Sequence, residues 1–133
     1  MIKKIATAAV FGFLTISAFA AQGTARLQAS IPGNPLTVTD WYKQDVYDPN
    51  NAKIGQIMDV LVDKSGKIST LIIGVGGFLG AGEKDVAVPF EEVQATTKDN
   101  KTHLMMNTSK DALKGAPGFR YDSSTTTWVP DKQ

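Results

Sequence analysis

Glu83-Lys84-Asp85 is the one place where acidic and basic side chains adjoin behind a glycine run, Gly74-Val-Gly-Gly-Phe-Leu-Gly-Ala-Gly82. Glycines before a lysine suggest a phosphate cradle, and neighbouring acids and a base suggest proton transfer. Neither chemistry is well formed. A phosphate loop needs Gly, four residues, then Gly-Lys-Ser/Thr opening a helix. Here Gly77 leads to Gly82-Glu83-Lys84, and the chain continues as the strand-like Val86-Ala-Val-Pro89. The dinucleotide pattern fails too, because Leu79 stands where the third glycine belongs. The simpler reading is a wide turn that presents Phe78 and Leu79 at one end of the fold, followed by a solvated Glu83-Lys84-Asp85. If this were an enzyme or a small-ligand carrier, that triplet would be its working part.

Other chemistry-bearing residues are sparse. His103 is the only histidine and there is no cysteine, a poor set for a transition metal. Asp59, Asp63 and Asp85 are hard-cation donors by type, but their spacing matches no known calcium loop. No cofactor motif is present. Trp41 and Tyr42 are either a recognition patch or the lid of a small core, and the second reading is favoured.

The elements that must position these residues are centred on Lys53 to Phe90. Ile54 to Asp63 and Ile68 to Val75 are rich in Ile, Val and Leu, with Lys64-Ser65-Gly66-Lys67 as a hairpin turn between them. Ile57 and Val60 are spaced so that strict alternation would put them on opposite faces. A bulge near Met58-Asp59 is therefore expected, turning Val60 and Val62 to the side of Ile57 and bending the strand. Leu71 to Val75 is apolar on both faces and needs cover on each. Asp85 to Pro89, Val93 to Thr97 and Thr102 to Met106 read as further strands, and Lys98-Asp99-Asn100-Lys101 as a second hairpin turn. Val46-Tyr47 forms a short first strand. Residues 107–115 read as a short helix capped by Thr108 or Ser109, with Ala112 and Leu113 packing inward. Phe119, Tyr121 and Trp128 are the candidates to cover the outer face of the apolar strand.

The ends carry different signals. Met1 to Ala20 has a basic start, an apolar stretch and an Ala18-Phe-Ala20 cleavage site, the pattern of a secretory signal peptide. The expected location is the periplasm, with no membrane anchor after cleavage. The chain has 133 residues with 14 basic and 13 acidic side chains; without Lys3 and Lys4 the balance is 12 to 13, a net charge of −1. That argues against nucleic acid, which selects a basic face. The absence of cysteine means that an exported fold rests on its core and not on disulfides. Residues 21–39, with Pro32 and Pro35, read as a flexible linker. Residues 115–133 read as a tail packing on the folded domain.

Taken in order, Asp59-Val-Leu-Val-Asp63, the glycine run, Glu83-Lys84 and Val88-Pro89-Phe90 resemble the PRC-barrel domain family, over about Trp41 to Leu113. The resemblance implies an all-β fold: a small six-stranded barrel spanning residues 40–114 with a short C-terminal helix, here preceded by a cleavable signal helix. It also implies a docking or scaffolding module and supplies no catalytic residues. The expected function is thus a non-catalytic periplasmic protein-binding module, related to the envelope or to stress. Its partner is an unknown protein or a second copy of the chain joined at an open barrel edge. Phe78, Leu79, Glu83, Lys84, Trp41 and Tyr42 are the candidate contact residues.

Overall fold

The computed structural model describes Gly12, residues 23–76 and residues 82–131. The predicted signal peptide, Gly12 apart, and Phe78 and Leu79 lie outside the described residues. The chain divides into two units, Met1–Asn34 and Pro35–Gln133. In the first, residues 23–34 form no regular element and are exposed throughout.

In the second unit order begins earlier than the predicted boundary at residue 40. Thr37 caps a single 3-10 turn, Val38–Asp40. Asp40 answers with bonds from the Thr37 backbone N–H (2.8 Å) and hydroxyl (2.9 Å), a reciprocal capping box. The other carboxylate oxygen of Asp40 accepts from the Thr102 hydroxyl, which ties this turn to the sheet. This Thr-x-x-Asp spacing straddles the expected end of the linker at residue 39.

Eight strands follow: β1 Asp45–Tyr47, β2 Lys53–Val62, β3 Ile68–Val75, β4 Lys84–Pro89, β5 Val93–Lys98, β6 Lys101–Met106, β7 Gly118–Asp122 and β8 Thr127–Pro130. They form one sheet in the order β5-β6-β1-β2-β3-β4-β7-β8. All pairings are antiparallel except β1 with β6. The six expected strands are β1–β6. Two more, β7 and β8, come from residues 115–133, which the sequence suggests only as a tail packing on the domain.

The register explains the bend. Ile57 pairs with Ile73 and Asp59 with Ile72, so Met58 is the extra residue of a bulge, and Val60 joins Ile57 on the core side. Val62 does not. A second shift between Leu61 and Val62 places Ser69 as the extra residue on β3, and Val62 is 62% exposed. A third shift, between Val46 and Tyr47, lets Ile54 enter the core. Each bulge adds local twist, which is how short strands wrap one interior.

That interior contains Val46, Ile54, Ile57, Leu71, Ile73, Val75, Val86, Val88, Val93, Leu104 and Met106. β4 and β6 alternate cleanly: Val86, Val88, Leu104 and Met106 point in. The two hairpin turns are as expected. Gly66 takes φ +88° in the first, and Asp99 and Asn100 take φ +53° and +61° in the second, the left-handed pair of a tight two-residue turn. Helix α1, Lys110–Lys114, is shorter than the sequence suggested. Ser109 is its N-cap, accepting from the Ala112 N–H. Leu113 is buried, but Ala112 is exposed and Ala116 packs on the core in its place.

Candidate partner-binding site

The start of β4 places Glu83, Lys84 and Asp85 at one end of the sheet, but it parts Lys84 from the two acids. Glu83 precedes β4 and its Oε1 reaches over Gly74; a Cβ at Gly74 would lie 2.6 Å from that oxygen and 2.9 Å from Met58 Cγ. A larger residue at this position would have to push both side chains aside. Glu83 edges a cleft of about 400 Å³, lined also by Lys53, Gln56, Gly74, Gly76 and Lys110. Lys53 forms an exposed ion pair with Asp45 at 3.1 Å.

Lys84 points elsewhere. It pairs with Val75 on the core-facing side of the sheet, and its Nζ donates to the Lys114 carbonyl at 2.8 Å. A cation at the end of α1 answers a carbonyl that the helix leaves unpaired. Asp85 lies on the opposite face, paired with Gly74 and with Phe119. Its Oδ1 is buried without a hydrogen-bond partner among the described residues. Burial raises the Asp85 pKa above the usual carboxylate value; Glu83 and Asp131 add repulsion in the same direction, and Lys43 opposes them.

The aromatic pair separates as well. Trp41 is 6% exposed and packs on Phe90 with ring centroids 4.7 Å apart, so it belongs to the core and leaves the candidate contact set. Tyr42 is 46% exposed, with the Lys43 ammonium 5.5 Å from its ring centre. Tyr42 and Glu83 therefore remain as surface candidates, while Lys84 is engaged. Lys53 and Lys110 are cleft residues that the sequence did not single out; they come from distant elements, and only the fold joins them.

The other candidate ligands are also dispersed. Asp63 organises the β2–β3 turn, accepting from the backbone N–H groups of Ser65 and Lys67. The Ser65 hydroxyl also donates to Asp63, and this bond first, then the backbone ones, holds its pKa below the usual value. Asp59 accepts from the Val60 N–H and from Trp128 Nε1. His103 stacks on Tyr47 at 4.8 Å. Among the described residues no group of three or more His, Asp or Glu side chains is placed to hold a metal ion.

The wrapped strands, the short helix and the glycine-rich β3–β4 connection agree with one family comparison: the family model of the PRC-barrel domain matches residues 36–113. The chain belongs to the PRC-barrel domain family. The match begins just before the Thr37 cap and ends inside α1, so the PRC-barrel domain comprises β1–β6, and the β7–β8 hairpin follows it. No curated protein matches the chain.

Proposed function

We propose that this chain is exported to the periplasm, loses its leader there, and works as a non-catalytic PRC-barrel module that docks a protein partner. The observation that carries this reading is the separation of Lys84 from the carboxylates of Glu83 and Asp85. Acid–base catalysis needs groups that converge on one reacting atom. Here the one base, Lys84, is committed to the end of α1 on the other side of the sheet, while Glu83 reaches over Gly74 to the face of Asp85, where the two carboxylates repel each other. What that leaves for partners is surface: the cleft around Glu83 and the exposed Tyr42.

The test is photo-crosslinking in intact cells, with the reactive residue at position 83 and, as a control, at position 64 in the β2–β3 turn. Discrete adducts from position 83 alone, on a protein that fractionates with the periplasm and starts near residue 21, are expected. Identical patterns from both positions, or retention in the cytoplasm with the leader intact, would overturn the reading.

A further inference from the structure

The β7–β8 hairpin builds a second groove, which shares no lining residue with the cleft around Glu83. Register places Phe119 on the face of Asp85, and hence Tyr121 and its partner Trp128 on that face. Ile72, paired with Asp59, is on it too, 1% exposed and apart from the main core cluster. Trp128 Nε1 donates to Asp59 Oδ2 at 2.7 Å, drawing the hairpin towards β2. Between them lies a groove of about 510 Å³, with Asp59, Leu61 and Val62 on one side and Tyr121 and Trp128 on the other. The two rings stand at 68° with centroids 5.9 Å apart, and Tyr121 is 51% exposed.

Charge and shape here fit one chemistry. Asp59 is part-buried and forms no ion pair with any described lysine or arginine. Its two hydrogen bonds leave lone pairs free, since a carboxylate accepts about four. An uncompensated anion beside two aromatic rings attracts a cation, and the neighbouring Leu61 and Val62 suit its aliphatic stem. The backbone adds a direction. The Asp131 N–H bonds to the Gly118 carbonyl, so by alternation the N–H and C=O of Trp128 point away from β7. That edge of β8 has no partner strand among the described residues.

We propose that this groove binds the lysine or arginine side chain of an extended peptide segment, whose backbone runs along the free edge of β8. The site rests on the docking role proposed above only for the source of that segment. Peptide binding by the purified protein tests the groove, and crosslinking in cells tests the role, so either can fail alone.

The experiment follows the indole N–H resonance of Trp128, with that of Trp41 as an internal check on the fold. The probes are Gly-Lys-Gly and Gly-Arg-Gly peptides with blocked ends, the same peptide with norleucine, and choline. The cationic peptides should shift the Trp128 signal and bind about tenfold better than the norleucine peptide, the size of one charge-assisted contact. Raised salt should weaken them. Asp59→Asn and, independently, Tyr121→Ala should each reduce binding several-fold with the Trp41 signal unmoved. Equal binding of the norleucine peptide, no shift at Trp128, or full binding by both variants would overturn the proposal. Choline binding as well as the peptides would overturn the peptide assignment.

Discussion

The β1–β6 body and the β7–β8 hairpin belong to one sheet but are held by different physics. The body is closed by interdigitated Ile, Leu and Val side chains, several with no exposed surface. The hairpin has no such interior. It meets β4 through only two registered pairs, Asp85 with Phe119 and Val86 with Gly118, and is drawn to β2 by the Trp128–Asp59 bond. Apolar burial is cooperative and insensitive to pH, whereas a few polar contacts at the rim are local and conditional. The body should therefore unfold as a unit, and the hairpin should open on its own.

The largest effect expected from breaking this contrast lies in the body. Ile73 is fully buried and its Cγ2 lies against the backbone of Gly55, where an added Cβ would come within 2.6 Å. Ile73→Ala removes that packing at the centre of the sheet and should cost about 2–5 kcal/mol. Denaturant unfolding should show a lower midpoint with one cooperative transition. Two separated transitions would mean that the body is not the single unit described.

Next comes the clasp. Trp128→Phe keeps a ring against β2 but deletes the donor to Asp59. A hydrogen bond to a charged group contributes about 1.5–3 kcal/mol. Here the loss should appear as local opening. Amide exchange in residues 118–130 should quicken, while Leu71 and Ile73 keep their protection. Uniform quickening across β3 would show that hairpin and body are one cooperative block.

The same division governs what could be read from the sequence. β2 and β3 were legible because two apolar runs flank a polar turn, and the Met58 bulge because Ile57 and Val60 are out of step. Val62 was misplaced because its face is set by Ser69, an extra residue on the other strand. The hairpin was only half legible: Phe119, Tyr121 and Trp128 read as cover, but β7 is five residues of mixed polarity. It becomes a strand by pairing with β4, a tertiary fact. Trp41 and the charged triplet show the limit at the site. Whether an aromatic is lid or patch depends on Phe90 being beneath it, and whether three consecutive charges converge depends on which face and which neighbour each one meets.

The smallest expected effect lies at the junction of the two regions, and pH isolates it. Asp85 has its pKa raised by burial, by Glu83 and by Asp131, so its charged form is disfavoured in the folded protein. The folded state takes up this proton at a higher pH than the unfolded chain does. Stability linked to Asp85 is thus complete below the ordinary value of 3.8 and is lost as pH rises through the raised value. Asp40, Asp63 and Asp122 have the opposite sign. Hydrogen bonds lower their pKa values, led by Thr37 for Asp40 and by the Ser65 and Ser124 side chains for the others. Their contribution is present above 3.8 and fades as pH falls through the lowered values. Asp85→Asn removes only the first kind. The variant should be more stable than the parent at neutral pH, and the two curves should meet as pH falls towards 3.8. The gain should appear as slower amide exchange at Gly118 and Phe119, where β7 joins β4, with little change at Leu71. A variant less stable at neutral pH would mean that the Asp85 carboxylate is compensated after all, and the hairpin would then be held at this end by charge and not merely tolerated there.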